Sequence, residues 1–153
     1  MIQIGSGRSW VAMDWHFVGE DLYVSIIGGE TPHIGAAALA HRESGRMDVH
    51  TLSVPGHREE ALTRFCAEDI CRATGRTVLV NCGIHIDQAS AQEISLLCDH
   101  VHALEQQLLL SPPITLSHRE EAPPQERRGL FPSLFLFLYR QLLPACGLYP
   151  EAL

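Results

Sequence analysis

The first half of the chain alternates between apolar and polar positions, a period of two that is typical of β-strands. Of four runs, at residues 10–18, 22–27, 34–41 and 47–54, the first and the last alternate, the second and the third are mainly apolar, and each is followed by a turn that contains glycine. The turn at Gly19 predicts that the first two runs form an antiparallel hairpin. The third run is rich in alanine, which favours helices, but its short length and the proline before it favour a strand.

The second half of the chain changes to helical spacing. Apolar residues recur every three or four positions between 57 and 74, with glycine on both sides, which predicts a helix. A short apolar run at 77–80 predicts a central strand that is buried on both faces. A second helix is expected to follow, with Asp87 or Ser90 as its N-cap.

These elements predict an α/β (α+β) fold with the order β-β-β-β-α-β-α. We expect a single mixed, largely antiparallel sheet of about five or more strands, with two helices on one face. The domain is expected to span residues 8–110. A charged segment with four prolines, 111–129, is expected to be a linker.

The remaining segment, 130–153, is expected to contain an apolar helix at Leu130–Leu143. This run is shorter than the about 20 residues that a membrane-spanning helix needs, and Arg140 interrupts it, so no membrane partner is expected. Such an apolar helix should dock on its own domain, on a second subunit or on another protein. The second case gives a homodimer, which is the oligomer that we expect.

Composition and charge exclude several classes of protein. The net charge is −7, and no basic stripe is present, which argues against a nucleic-acid binder. The chain has no lysine, which excludes Schiff-base chemistry. The first nine residues lack the apolar core of a secretion signal, and Gly5–Gly7 are expected to be flexible.

The chain has five cysteines without a CxxC pair, so we expect reduced thiols in a cytoplasmic protein. Cys66, Cys71 and Cys98 lie in predicted helices and are expected to be small apolar fillers.

Three of the nine histidines lie in glycine-containing junctions at the ends of predicted strands. The junctions are GGETPHIG at Gly28–Gly35 with His33, PGHR at Pro55–Arg58 with His57, and GIHID at Gly83–Asp87 with His85. Glycine permits tight turns and close approach to a ligand. Histidine can bind metal, donate to phosphate or transfer a proton near neutral pH. The three junctions therefore favour one polar site at the ends of the strands.

Each of the first two junctions has two interpretations. Backbone amides at Gly28 and Gly29 could hold an anion beside Glu30 and His33; alternatively, His33 is a solvated residue of an ordinary turn. 

Gly56, His57 and Arg58 precede a helix, and a helix N-terminus attracts phosphate. The alternative is a plain helix entry, in which Glu59 and Glu60 complement the helix dipole.

The third junction places His85 and Asp87 two residues apart after the central strand, so both side chains are expected on one face. Asp87 could share a metal with His85 or orient its ring, or it could simply cap the next helix. His33, His57 and His85 could together bind a metal ion with Glu30 or Asp87. No compact spacing such as HExxH supports this site. The other histidines are expected to be ordinary surface or core residues: His16, His41, His50, His100, His102 and His118.

The three junction segments resemble the LpdD-like family, in which corresponding segments occur in the same order in proteins of about this size. The resemblance covers roughly Trp10–Leu109. It implies a sheet with two helices, similar to small proteasome-assembly-chaperone-like domains. It also implies a chaperone for prenylated flavin mononucleotide (prenylated FMN) that accompanies UbiD-type decarboxylases. The residues that it marks as part of a ligand site are Glu30, His33, His57, His85 and Asp87.

The resemblance leads to the expectation of a cofactor-binding chaperone rather than an enzyme. The protein would bind prenylated FMN, or FMN, and pass it to an apo-decarboxylase of the UbiD type. The phosphate suits Gly28-Gly29 and the helix start at His57, and histidines would hold it directly or through a divalent metal ion. The small side chains of Ala36–Ala40 are expected to leave room for the flat ring.

Two alternatives stay open. One is a small metal-dependent hydrolase or lyase that uses the three histidines, with Glu30 as general base. The other is a dimeric interaction module in which the histidines are structural.

Overall fold

The computed structural model of the protein describes residues 1–111 and Ile114. Its elements are β1 (Ile2–Ile4), a short 3-10 helix (Gly7–Ser9), β2 (Val11–Val18), β3 (Asp21–Gly29), β4 (Ala36–Glu43), β5 (Arg46–Ser53), α1 (Glu60–Thr74), β6 (Val78–His85) and α2 (Ala91–Leu109). The predicted linker, apart from Ser111 and Ile114, and the predicted C-terminal apolar helix lie outside the described residues.

All six strands belong to one sheet, in the spatial order β1-β2-β3-β6-β4-β5. Strands β3 and β6 pair in parallel, whereas the other neighbouring strands are antiparallel. The predicted hairpin is β2–β3, whose last pair is Val18 and Asp21. The prediction of a mixed, largely antiparallel sheet is therefore confirmed.

Both helices pack on the same face of the sheet. Alternate residues of the strands point into the core, among them Met13, Val24 and Val80, which are fully buried. This arrangement follows from the period of two, which places every second side chain on the helix-covered face. The prediction that two helices cover one face is also confirmed.

The alanine-rich run forms strand β4, as the length argument predicted. However, Ala36, Ala38 and Ala40 are at most 1% exposed, and Ala38 and Ala40 belong to the hydrophobic core beneath the helices. Their small side chains let a helix approach the sheet closely. The expectation that this strand leaves room for a flat ring is therefore wrong for its buried face, because that space is filled.

Strand β6 lies between β3 and β4 and is central, as expected. It is not buried on both faces, since Leu79 is 39% exposed on the face that the helices do not cover. Its cross-strand partner Leu39 is 39% exposed as well. The apolar run 77–80 therefore forms a central strand, but the face of the sheet opposite the helices is partly open to solvent at Leu39 and Leu79.

The N-terminal residues are ordered by packing, contrary to the expectation of a flexible piece. Strand β1 pairs with β2, with Ile4 opposite Val11. The 3-10 helix then brings the carbonyl of Ser9 to His100 Nδ1 of helix α2, at 2.9 Å. The β1 segment is only three residues long, which is too short to show a period in the sequence.

Helix α1 begins later than its sequence pattern suggested, whereas α2 begins at one of the two caps that the sequence offered. Helix α1 starts at Glu60, three residues after His57, and ends at Gly75, whose left-handed backbone lets its amide donate to the carbonyl of Cys71. Helix α2 is capped by Ser90 rather than Asp87, in a reciprocal capping box with Glu93. Within the described part of the chain, no helix has the length and apolar character needed to cross a membrane.

Candidate ligand site at the polar edge of the sheet

The three histidine junctions meet at one edge of the sheet. Strands β3 and β6 are parallel and end together, with Gly29 opposite His85. Strand β4 runs antiparallel to β6 and therefore begins at that edge, where Ala36 pairs with Ser53 at the end of β5. We call this edge, with the loops 30–35, 54–59 and 86–90, the polar edge. The convergence of the junctions that the sequence predicted is present in the structure.

Two of the three histidines are in direct contact. His33 Nε2 lies 2.8 Å from His57 Nδ1, and their rings are 4.4 Å apart between centroids. Glu59 completes the group, with its Oε1 3.1 Å from His33 Nε2 and its Oε2 3.8 Å from His57 Nδ1. One donor atom from each of the three residues lies within 4.8 Å of the other two. We call these three residues the histidine–glutamate cluster.

Glu59 is a site residue that the sequence interpretation missed. Its carboxylate accepts hydrogen bonds from the backbone amides of Arg58, at 2.9 Å, and Ile84, at 3.3 Å. Its side chain is 11% exposed, less than those of His33, at 20%, and His57, at 31%. The helix-dipole interpretation was incomplete, because this carboxylate turns back over the start of α1 towards the histidines. The sequence did contain one indication that Glu59 belongs to the site, because Glu59 lies only two residues after His57.

Two glycines allow the cluster to form. A Cβ atom on Gly35 would lie 2.6 Å from Glu59 Oε2, and one on Gly83 would lie far inside contact distance of the His33 carbonyl oxygen. Neither glycine has a left-handed backbone, so the requirement is for space rather than for conformation. The loop that carries His33 crosses strand β6 at a distance that only glycine permits.

Gly28 and Gly29 have a different role from the expected anion cradle. The amide of Gly29 donates to the carbonyl of Trp10, and the amide of Glu30 donates to the carbonyl of His85. These amides are used within the sheet and are not directed at a ligand. A Cβ atom at Gly29 would collide with the His85 backbone, so these glycines serve the close packing of three strand ends.

His85 lies beside the cluster and has its own partners. Its ring centroid is 6.2 Å from that of His33, but its Nε2 contacts Asp87 Oδ1 at 2.9 Å. The alignment of His85 with Asp87 on one face is as expected from their spacing. Among the described residues, the donor group that is compact enough for a metal ion contains Glu59 in the place predicted for His85.

Glu30 points towards the start of α2 rather than into the histidine–glutamate cluster. Its Oε2 accepts a hydrogen bond from the amide of Asp87 at 2.9 Å, and its Oε1 lies 3.8 Å from Arg8 Nη1. Arg8 also donates to the Asp87 carbonyl at 2.5 Å and pairs with Glu93 at 3.1 Å. Arg8 was not predicted, since the 3-10 helix that positions it gives no sequence signal.

The start of α1 is rich in negative charge. Besides Glu59, the Glu60 carboxylate accepts hydrogen bonds from the hydroxyls of Thr51 and Ser53. The bond from Ser53, and then the bond from Thr51, lowers the pKa of Glu60. The predicted anion site at Gly56, His57 and Arg58 therefore has two carboxylates at the helix start. A free anion is repelled there unless a cation lies between.

Exposed apolar side chains border the polar edge. Ile34 follows His33 and is 65% exposed, Val54 precedes the His57 turn and is 43% exposed, and Leu52 is 78% exposed. The amide of Val54 donates to the carbonyl of Gly35, and the amide of His57 donates to the carbonyl of Val54. These bonds hold the apolar margin, defined as Ile34, Leu52 and Val54, next to the cluster.

The cysteines in the described range do not take part in the site. Cys66, Cys71, Cys82 and Cys98 are free and buried. Burial raises the pKa of the Cys82 thiol, and it does the same for Cys66. These thiols are neutral at pH 7. The expectation that Cys66, Cys71 and Cys98 fill the core is confirmed.

Comparison with known proteins gives one family. Residues 5–111 match the family model described as the prenylated flavin chaperone LpdD-like domain. A comparison with curated proteins gives no significant match. The family match covers more than half of the chain and includes the whole polar edge.

Proposed function

We propose a function from the premise that this chain belongs to the prenylated flavin chaperone LpdD-like family. The protein binds prenylated FMN and delivers it to an apo-decarboxylase of the UbiD type, or helps that enzyme to mature, in the cytoplasm. The observation that carries the proposal is the polar edge within residues 5–111. It combines ligand-type side chains with exposed apolar residues on a rigid scaffold.

The two ends of prenylated FMN have different chemistry, and the edge has a region suited to each. The phosphate end requires positive charge or hydrogen-bond donors, which the imidazoles of His33 and His57 can supply. The fused ring is flat and apolar, and the apolar margin offers Ile34 and Val54 beside the histidines. Ligand sites are commonly apolar with a few convergent polar groups.

The predicted cofactor residues divide into two sets in this proposal. Gly56, His57, Arg58 and His33 surround the phosphate end. Gly28, Gly29, Glu30, His85 and Asp87 form the neighbouring wall of the site, where the charge network with Arg8 fixes the loop before α2.

The first test is an anaerobic titration of the purified protein with prenylated FMN, repeated with FMN and with riboflavin. The expected order of affinity is prenylated FMN, then FMN, then riboflavin, because riboflavin lacks the phosphate. His33→Ala and His57→Ala should weaken binding of the phosphorylated ligands by at least roughly tenfold. Riboflavin affinity should stay unchanged in these variants.

The matched control is His16→Ala, an exposed histidine near the far end of strand β2, in contact with Tyr23. This variant should bind prenylated FMN as the unchanged protein does. Failure of all three flavins to bind the unchanged protein would overturn the carrier proposal.

Delivery is tested separately from binding. Apo-decarboxylase is mixed with the loaded protein in the presence of excess free FMN as competitor, and recovery of decarboxylase activity is followed. Faster recovery than with an equal amount of free prenylated FMN supports delivery. Equal rates would reduce the role to binding alone.

We also propose that the protein acts as a homodimer. The proposal comes from the apolar run 130–143, which the sequence predicts to be a helix that needs a covering surface. Light scattering of the full chain should give twice the monomer mass. A monomer mass at micromolar concentration would contradict it.

A second candidate function is a metal-dependent hydrolase or lyase. The histidine–glutamate cluster favours it, since two histidines and a carboxylate are also the protein ligands of many catalytic zinc sites. Glu30 would not be its general base, because Glu30 is engaged with Arg8 and the Asp87 amide. Metal-dependent turnover of ester or phosphoester substrates without flavin would move this candidate to first place.

A further inference from the structure

We infer that the histidine–glutamate cluster is a divalent metal site. Its protein ligands are His33 Nε2, His57 Nδ1 and a carboxylate oxygen of Glu59, and the ion keeps an open position for an anionic oxygen. This set differs from the three histidines that the sequence suggested, since it replaces His85 with Glu59. Two imidazoles and one carboxylate suit Zn²⁺, Mn²⁺, Co²⁺ or Fe²⁺.

The hydrogen bonds assign the proton on His33. Its Nδ1 lies 3.0 Å from the carbonyl oxygen of Thr31, which can only accept, so Nδ1 carries hydrogen. In a neutral ring, Nε2 then presents a lone pair. A bond from the other ring nitrogen to a carbonyl is the usual support of a metal-bound histidine.

The lone pair of His33 Nε2 faces one acceptor atom, an oxygen of Glu59, and one ring nitrogen of His57 that donates or accepts according to its tautomer. Glu59 Oε1 is 3.1 Å away and carries negative charge, and His57 Nδ1 is 2.8 Å away. A lone pair against a carboxylate oxygen at that distance is repulsive unless a cation is shared. Either an added proton or a metal ion satisfies the contact, and three convergent donors favour the metal ion.

The spacing of the donor atoms is close to what a metal ion requires. Ligands about 2.1 Å from a tetrahedral ion lie roughly 3.4 Å from one another. The observed contacts are 2.8 Å and 3.1 Å, with 3.8 Å between His57 Nδ1 and Glu59 Oε2. Small movements of the side chains would therefore accommodate an ion.

The surrounding backbone holds the ligands in place. Two amides fix the Glu59 carboxylate, the Thr31 carbonyl fixes the His33 ring, and the Gly83 position admits the His33 loop. A site that is held before its ligand arrives loses less entropy on binding. This preorganisation separates the cluster from a chance meeting of exposed side chains.

The charge of the cluster explains why a metal matters for the proposed function, on which this step rests. Without a cation, the three ligands carry a net charge of −1 through Glu59, which opposes a phosphate. With a divalent ion, the three ligands and the ion carry a net charge of +1, which attracts one. The metal is thus the link between the histidines and the phosphate of prenylated FMN.

The test uses full-length protein, freed of metal by a chelator and then dialysed. It is first titrated by calorimetry with Mn²⁺, which binds thiolates poorly and therefore should not bind to the cysteines. A second titration uses Co²⁺, whose visible absorption spectrum reports its coordination geometry. One ion per chain is expected. His33→Ala, His57→Ala and Glu59→Gln should each weaken affinity by at least roughly 100-fold, whereas His16→Ala should not change it.

Glu59→Gln keeps an acceptor for one of the two backbone amides, which bond to different carboxylate oxygens, and circular dichroism checks that each variant is folded. If the unchanged protein does not bind metal, the metal site is overturned. The contact between His33 Nε2 and Glu59 Oε1 is then explained by a proton that the two side chains share. Unchanged binding in the three ligand variants would place the metal elsewhere and overturn it equally.

The failure of this inference can be told from failure of the proposed function. Metal binding without prenylated FMN binding leaves the metal site and removes the carrier. Prenylated FMN binding that a chelator does not weaken leaves the carrier and overturns the metal link. Binding of inorganic phosphate only to the metal-loaded protein would support the link directly.

Discussion

Histidine and glutamate side chains meet at two places within residues 1–111, and the two places have opposite surroundings. At the polar edge, His33, His57 and Glu59 converge at the surface. Within helix α2, His102 Nδ1 lies 3.4 Å from Glu105 Oε2, and Glu105 is fully buried. The other oxygen of Glu105 has no hydrogen-bond partner among the described residues.

The difference lies in what the backbone supplies. At the polar edge, amides and glycine spaces position each side chain before any ligand binds. Around Glu105, the groove is apolar, and burial raises the pKa of this carboxyl to about 7. The lining residues are Leu62, Phe65, Cys66, Cys98, Val101, His102 and Glu105. The same residue types are thus held in place by the backbone at the polar edge, whereas on α2 the burial of Glu105 opposes its ionisation.

The largest effect is expected from Gly83→Ala, which removes the space that the His33 loop needs where it crosses strand β6 at the polar edge. The new Cβ would collide with the backbone at His33, so the loop must move. We expect a loss of roughly 3–4 kcal/mol in the free energy of unfolding, together with loss of Mn²⁺ and prenylated FMN binding. Urea denaturation and calorimetry measure both.

The control for that variant is Gly45→Ala, at a turn where no atom would meet the new Cβ, although the backbone is left-handed. It should cost about 1 kcal/mol through the backbone alone and leave ligand binding intact. Similar ligand loss in both variants would show that Gly83 has no special role.

The next effect concerns the contact of His102 with the buried Glu105 on helix α2 and depends on pH. The folded state raises the pKa of Glu105 to about 7 through burial, above its ordinary value of 4.5. The folded chain therefore binds the proton more tightly than the unfolded chain does. Stability is greatest below about pH 4.5 for this group and falls as pH rises to about 7, by up to about 3 kcal/mol.

His102 changes stability in the same direction. Its bond to Glu105 raises its pKa, so its stabilising contribution is lost as pH rises through that raised pKa. Glu105→Gln should flatten the fall between pH 5 and pH 8 in urea denaturation. Glu43→Gln, at an exposed position, should keep it. Parallel curves for Glu105→Gln and the unchanged protein would contradict the assignment.

A smaller effect is expected at the start of α2. Ser90→Ala removes the side-chain acceptor of the capping box with Glu93 and should cost about 1 kcal/mol. Ser90→Asp should restore most of it, since aspartate also caps helices well. Metal affinity should stay the same in both variants, which distinguishes helix stability from ligand geometry. A change in affinity would connect the α2 start to the cluster.

The smallest effect is expected at His85 and decides the composition of the metal site. Its Nε2 faces Asp87, so His85→Ala should change Mn²⁺ affinity by less than about threefold, against the roughly 100-fold expected for Glu59→Gln. The same calorimetry measures both variants. A loss at His85 as large as at His33 would restore the three-histidine site that the sequence suggested.

The sequence predicted those parts of the fold that have a clear period. Alternation identified β2 and β5, short apolar runs between turns identified β3 and β4, and the change to helical spacing located both helices. The meeting of His33 with His57 followed from glycine junctions at strand ends. Strand β1, with three residues, was too short to show a period.

The parts of the site that the sequence did not reveal depend on tertiary contacts. Glu59 resembled a residue that complements a helix dipole, and only the position of strand β6 shows its carboxylate turned towards His33. Gly28 and Gly29 resembled an anion cradle, but their packing against Trp10 and His85 shows another use. The small alanines of β4 suggested space for a ligand, but helix α1 packs against them and occupies that space.

The strand order has a consequence for synthesis of the chain on the ribosome. Strands β3 and β4 follow each other in sequence but are separated in space by β6. Until residue 85 has been made, the sheet can form only as two separate parts, the β1–β2–β3 meander and the β4–β5 hairpin, each with an unpaired edge that exposes it to aggregation. High contact order of this kind slows folding. Strand β6, the last of the described strands to be made, therefore joins the two halves and completes the polar edge in the same step.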